Sequence, residues 1–139
     1  MVGRDVLLES NADLLQPLDL RISLCRIAVA ACAGAIKSDE LGALRVATKY
    51  PRIAASHFGA RGIPVEIIEL AGSVELAPVL GLADAIVDVV ETGRTLAENG
   101  LDIVEVIANS TGRLVVNRAS YQLKAEAVSR LINALKGVL

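Results

Sequence analysis

Apolar runs of strand length alternate along this chain with stretches of helical spacing, a rhythm that predicts successive βα units rather than hairpins. The first clear strand is CRIAVAAC, Cys25–Cys32, followed by GAIKSDELGA, which reads as a loop around a short turn. The next is LRVATK (residues 44–49), closed by Tyr50 and Pro51, since the residue before a proline is pushed out of helical geometry. Residues 52–60 have helical spacing, and Gly62 stands where a helix stop belongs. PVEIIEL alternates Val65 and Ile67 with acids, as a strand does. Gly72 and Ser73 then open a predicted helix over VELAPVLG, with Ser73 as its N-cap and Glu75 in its first turn. AIVDVV, Ala85–Val90, is a buried strand broken by one acid, and it runs directly into ETGRT and a short helix over LAEN that Gly100 stops. LDIVEVIA and RLVVNRAS read as two further strands, and residues 119–139 as a helix with Ala127, Leu131, Ile132 and Leu135 on one face.

Composition sharpens this into an α/β fold with a parallel sheet. Hydrophobic residues make up 53% of the chain and aromatics only 2%, so the core must be Ala, Val, Ile and Leu, the usual filling of parallel strands covered by helices. A length of 139 residues suits one domain or two small ones. The formal charge of -2 gives no electrostatic reason to bind nucleic acid or acidic membranes, so any basic site is local. The first residues are too polar for a signal-peptide core, and apolar stretches are broken by charge well short of bilayer length, which points to a soluble cytoplasmic protein. Cys25 and Cys32 are too far apart for a CxxC motif and are expected as buried free thiols, and His57 as a helix-surface residue without partners for a metal.

Candidate chemistry concentrates in DAIVDVVETGRTL (residues 84–96). A buried strand ends, a turn containing Gly93 follows, and a helix starts with its free amides pointing outward, the arrangement that receives phosphate. Gly93 lets backbone approach a ligand, Thr92 and Thr95 offer hydroxyls, and Arg94 offers charge. Asp88 is costly in an apolar strand unless it sits at the C-terminal end beside a polar ligand; from there Asp88 and Glu91 would accept from ribose hydroxyls or approach Mg²⁺ through water. The same residues also describe an ordinary helix cap and an exposed sheet edge, and spacing alone leaves both readings open. For Ser73 with Glu75 a capping arrangement is the simpler reading, and for Lys49 a solvated strand end.

Four motifs settle more than any one of them. ATKYP (residues 47–51), GSVELAP (72–78), GLADAIVDVVETGRTLAENGL (81–101) and VVNRAS (115–120) occur in the order and spacing of the ATP phosphoribosyltransferases, and the resemblance extends from GRDVLLE at Gly3 to the last helix. It implies a two-domain architecture like that of type II periplasmic binding proteins. The second domain, with a mainly parallel sheet flanked by helices, would span residues 28–107, and an incomplete first domain would comprise residues 1–27 and 108–139. It implies a glycosyltransferase that joins phosphoribosyl pyrophosphate to N1 of ATP and releases pyrophosphate, the first step of histidine synthesis, with Mg²⁺ and without a protein nucleophile. The family's phosphoribosyl pyrophosphate loop maps onto Thr92, Gly93, Arg94 and Thr95 around the 5′-phosphate and Asp88 with Glu91 toward the ribose, while Glu75 and Lys49 fall in motifs lining the cleft.

Family members carry a further N-terminal stretch that nothing here matches, so the chain is expected to be truncated, with first-domain apolar surface exposed. No segment matches the C-terminal regulatory domain of long-form enzymes, so the resemblance is to the short form, a homo-oligomer paired with a histidine-sensing regulatory subunit. The competing expectation is a catalytically inactive module that keeps only the phosphate loop.

Overall fold

The computed structural model describes residues 1–36 and 42–139; residues 37–41, in the stretch read as a loop around a short turn, lie outside the described residues. In chain order the elements are β1 (Val2–Gly3), α1 (Arg4–Ser10), β2 (Leu15–Asp19), β3 (Cys25–Cys32), β4 (Leu44–Thr48), α2 (Pro51–Ala60) and β5 (Val65–Glu69). They continue with α3 (Leu76–Val79), β6 (Ala85–Val90), α4 (Arg94–Glu98), β7 (Leu101–Ser110), β8 (Gly112–Val116), α5 (Arg118–Leu123) and α6 (Ala125–Lys136). The chain forms two compact units, Cys25–Asn109 and the pair of segments Met1–Leu24 with Ser110–Leu139.

The Cys25–Asn109 unit is built on a five-stranded sheet of order β5-β4-β6-β3-β7. Strand β4 pairs in parallel with both β5 and β6, bringing Thr48 opposite Glu69 on one side and Val87 on the other. Successive side chains of a strand point to opposite faces, and here both faces are covered. Ala28, Ala30, Ala47 and Ile86 join one apolar cluster with Val74, Ala77 and Leu96, while Ile27, Val29, Val46, Ala85 and Val87 join another with Ile53, Ala54 and Phe58 of α2. Burial on both sides explains why these strands read as continuous apolar runs. Alanines in β3 leave room for the helices to approach.

The topology places a crevice. From β4 the chain goes through α2 to β5, on one side; from β6 it goes through α4 to β7, on the other. Adjacent parallel strands whose connections leave in opposite directions open a gap at their carboxyl ends, where ligands of open α/β sheets bind.

One departure from the expected parallel sheet is β3, which runs antiparallel to β6, with Ala28 opposite Asp88. The reason is chain order: β3 enters this sheet from the other unit rather than through a crossover helix. The predicted helix over VELAPVLG shrinks to Leu76–Val79, with Glu75 rather than Ser73 at its N-cap. Ser73 has φ 52, a left-handed conformation that an N-cap residue does not adopt, and its side chain caps nothing. Neither cysteine forms a disulfide; both are half-buried rather than buried. His57 is not a surface residue either. Its side chain is 12% exposed, pairs with Glu105 of β7 at 3.1 Å and meets the Phe58 ring edge-on, and Arg61 joins the same carboxylate.

The second unit carries a three-stranded antiparallel sheet of order β1-β8-β2. Short, mixed-polarity segments such as LQPLD gave no apolar run to read, which is why β1, β2 and α1 were not predicted. RLVVNRAS is a strand only to Val116; Asn117 then turns the chain by accepting a hydrogen bond from the Ser120 amide at 2.7 Å, an N-cap for α5. The tail read as one helix is two, α5 and α6. Ser110, 1% exposed, accepts from the Asp5 amide and donates to its carboxylate, both at 2.9 Å, anchoring the start of α1.

The two-faced sheet predicts where truncation hurts. Ile86 is fully buried in the centre of β6, so Ile86→Ala should lower unfolding free energy by about 2–5 kcal/mol and Ile86→Val by about 0.5–1.5 kcal/mol. Urea unfolding that finds the alanine variant within 1 kcal/mol of the parent would contradict this core.

Candidate functional site

At the end of β6 the alternation of faces brings three side chains to the same side of the sheet: Ile86 and Val90, both in the apolar cluster beneath α3 and α4, and Asp88 between them. A carboxylate in that row loses water without gaining a cation in direct contact. Its Oδ1 accepts a hydrogen bond from the neighbouring Val89 amide at 2.8 Å. Burial nonetheless pushes the Asp88 carboxyl above the usual aspartate range; Glu75 pushes it the same way, and the Val89 amide and the Lys49 charge oppose the rise. Lys49 and Glu75, drawn from two other segments, thus both act on Asp88.

The chain then turns at Glu91–Gly93. Gly93 adopts φ 82, where any side chain would be strained, and forms the N-cap of α4 with its carbonyl accepting from the Ala97 amide at 3.0 Å. Thr92 Oγ1 accepts from the Arg94 amide at 3.3 Å, which tightens the turn. The following amides, of Thr95 and Leu96, lie in the first helical turn and have no intrahelical acceptor. Leu96 is buried under the sheet and fixes the helix, whereas Glu91, Thr92, Arg94 and Thr95 are exposed.

These residues line a cavity of about 240 Å³: Glu75 on one side, Asp88 with Val89 and Val90 at its base, and the turn from Glu91 to Leu96 around it. Of the residues singled out in the sequence, Glu75, Asp88, Glu91, Thr92, Gly93, Arg94 and Thr95 are brought together there. Lys49 is not part of the lining; it stands exposed just beyond β4 and reaches the site through its charge on Asp88. The Arg94 side chain is 85% exposed and leans toward Glu98 at 3.9 Å, so its backbone faces the turn while its charge is spent in solvent. Among the described residues, no group of three or more His, Cys, Asp or Glu side chains is placed to hold a metal ion. What the arrangement offers is a rim of main-chain amides and hydroxyls suited to an anion, above acidic acceptors suited to hydroxyl groups.

Sequence reasoning missed Thr48. It is fully buried, and its hydroxyl donates to the Val87 carbonyl at 2.6 Å and accepts from the Tyr50 amide at 2.8 Å. A threonine at a strand end carries no special signal; only the parallel register with β6 reveals it.

Residues 1–137 match the family model described as ATP phosphoribosyltransferase. An ATP phosphoribosyltransferase of Geobacillus sp. (strain WCH70) is 52% identical over 139 residues, covering 100% of this chain and 66% of that protein. The ATP phosphoribosyl transferase (HisG:HisZ) complex from Thermotoga maritima contains a chain similar to this one with TM-score 0.88 and 41% identity, covering 98% of this chain and 67% of that one. A probable amino-acid ABC transporter extracellular-binding protein from Bacillus subtilis superposes with TM-score 0.52 at 18% identity, covering 88% of this chain and 60% of that one, a likeness of fold alone. The chain spans about two thirds of the length of the curated relatives it matches (66% of the Geobacillus protein).

The raised Asp88 pKa sets a pH dependence. Because the fold disfavours the charged form, the stability linked to this group is present in full below its ordinary 3.8 and is lost as pH rises through the folded value. Asp88→Asn keeps the shape and the acceptor for Val89 but removes the charge. Its melting temperature should therefore exceed the parent's at pH 7, and the gap should close as pH is lowered through the carboxyl titration. A gap that stays constant between pH 7 and pH 4, or has the opposite sign, would show that burial of this charge is not costly.

Proposed function

The chain belongs to the ATP phosphoribosyltransferase family, and from that premise we propose that its Cys25–Asn109 unit, which contains residues 28–107 read as the second domain, holds phosphoribosyl pyrophosphate at the cavity at the end of β6. The observation that carries the reading is the convergence of Thr92, Gly93 and Thr95 with Asp88 and Glu91 on one cavity at the carboxyl ends of parallel strands. In this reading the amides and hydroxyls of Thr92–Thr95 take the 5′-phosphate, and Asp88 and Glu91 accept from the ribose hydroxyls. The enzyme of which this chain forms the matched part transfers the phosphoribosyl group to N1 of ATP and releases pyrophosphate.

The chain's own contribution is position and electrostatics. Anchoring the 5′-phosphate at the turn fixes the anomeric carbon relative to the approaching adenine nitrogen, turning an encounter into an oriented reaction. The acidic acceptors hold the ring, and fixed amide dipoles meet the phosphate without reorganising. In this reading Mg²⁺ arrives on the pyrophosphate, with Asp88 or Glu91 at one water's remove. When bound, Mg²⁺ offsets charge on the leaving group. The substrates are metabolites of the cytoplasm, and no described helix is long and apolar enough to cross a membrane. By extension from the Thermotoga maritima HisG:HisZ complex, we propose a separate partner subunit for this chain; that the subunit senses histidine and that the chain is a homo-oligomer are what the family resemblance implies.

Isothermal titration of phosphoribosyl pyrophosphate with MgCl₂ into the full chain tests the assignment. The parent should give saturable heat. A variant combining Thr92→Ala with Thr95→Ala should bind at least about tenfold more weakly, as expected when hydrogen bonds to a charged group worth about 1.5–3 kcal/mol are lost. No heat with the parent, or an unaltered isotherm with the variant, would remove the phosphate site from this turn. Following phosphoribosyl-ATP on addition of ATP then separates transferase from passive binder.

A further inference from the structure

Thr48 sits where β4 ends and does three things at once. Its hydroxyl donates to the Val87 carbonyl of β6 at 2.6 Å and accepts from the Tyr50 amide at 2.8 Å, while its own carbonyl accepts from the Leu70 amide at 3.0 Å. The residue after Val87 is Asp88, and the residue between Thr48 and Tyr50 is Lys49. The hydroxyl therefore clamps the backbone immediately before the site's half-buried Asp88 and immediately after Lys49, whose charge acts on that carboxyl. The parallel ladder of Val46, Ala47 and Thr48 with Ala85, Ile86 and Val87 already joins the strands, so the hydroxyl is not needed to hold the sheet together. It acts one step further on, where ladder bonding stops and the chain leaves the sheet for α2. A hydroxyl both donates and accepts; valine, of nearly the same shape, does neither and would take this acceptor from the half-buried Tyr50 amide.

We propose that Thr48 is a positioning residue for the phosphate-binding edge, its hydroxyl setting the approach of Lys49 to Asp88 without touching ligand. This rests on the reading of that edge as the phosphoribosyl pyrophosphate site. The opposing charge at the crevice is held in register by one side chain on the far side of the backbone from the cavity. Losing the link removes one tie on the backbone around Lys49, which loosens the placement of its charge relative to Asp88 when an anion arrives.

The full chain and its variants Thr48→Val and Thr48→Ser are compared by isothermal titration with phosphoribosyl pyrophosphate and MgCl₂, by thermal melting, and by amide resonances without ligand. Ile27→Val, in the fully buried centre of β3, is the control for a loss of stability alone. Thr48→Val should bind about tenfold more weakly, with amide shifts at Lys49, Tyr50, Asp88 and Val89 and none across α4. Thr48→Ser should stay within twofold of the parent, and Ile27→Val should melt earlier with unchanged affinity. Parent-like affinity and amide shifts in Thr48→Val overturn the proposal, as does a folded Thr48→Ser that loses as much as the valine variant. Where Thr48→Val does not fold, the serine variant decides: parent-like binding and shifts support the hydroxyl's role, and a tenfold loss refutes it. A parent that gives no heat defeats the phosphate assignment itself, and the ligand-free shifts then still report whether the hydroxyl sets Lys49 and Asp88.

Discussion

Much of this structure follows from what a parallel strand covered on both faces permits. Along β6 every side chain from Ala85 to Val87 is wholly buried, so a charge has nowhere to go until the strand reaches its carboxyl end. Asp88 is the first position where one occurs, and even there burial holds its pKa up. An acid kept in such a place must be offset by something that the strand itself does not provide. The neighbouring Val89 amide, the Lys49 charge and the opening toward the turn are the compensations available. Strand order decides that this opening lies where the connections from β4 and β6 part, so the cost of the acid and the location of the cavity have one origin.

That origin explains which features were legible in the sequence. Strand β3 and strand β6 were read with their observed bounds because a strand buried on two faces writes a mostly apolar run, and β4 and β5 were read within a residue or two, β5 from its alternation of apolar residues with acids. The turn at Thr92–Thr95 was legible for a different reason: a glycine held at φ 82 between a strand and a helix has few substitutes. Glu75 was read from local spacing as a first-turn acid and from the resemblance as a residue lining the cleft, and the structure makes it both N-cap and cavity wall. Ser73 failed as a cap because backbone conformation, which composition does not encode, took it into the left-handed region. In VVNRAS the apolar start suggested a strand throughout, whereas Asn117 ended it with a side-chain bond to Ser120. Propensity describes neighbours in the chain; Thr48, bound to a carbonyl 39 residues away, lay beyond its reach.

Electrostatic order elsewhere in the same unit follows a complementary rule, with charges paired where the chain enters the sheet. Arg45 at the beginning of β4 takes the Asp84 carboxylate through its side chain at 3.1 Å and through its own amide at 2.9 Å, and Asp84 returns a backbone bond to the Arg45 carbonyl. The Arg45 contacts hold the Asp84 carboxyl below the usual range, the reverse of Asp88. Two aspartates four residues apart, one just before β6 and one within it, thus have opposite fates. The first is satisfied at the amino end, where it ties β4 to the start of β6; the second lies half-buried at the carboxyl end, lining the cavity proposed as the ligand site.

This contrast bears on how the family's reaction divides its labour. Every described residue lining the cavity belongs to Cys25–Asn109, so in the proposed reading this unit by itself supplies the anchor for the sugar phosphate. Anchoring is not transfer: in the proposed reaction, as the family resemblance implies, no protein group bonds to the sugar. Rate enhancement in the proposed reaction must then come from holding one reactant still while the other is presented. A turn tightened by glycine, a helix pinned by buried Leu96 and a carboxylate fixed by its own backbone are suited to that task, since each removes freedom before substrate arrives. The loosest member of the set is Lys49, exposed and outside the cavity wall, and it is the one whose neighbours on either side are tied down by the Thr48 hydroxyl.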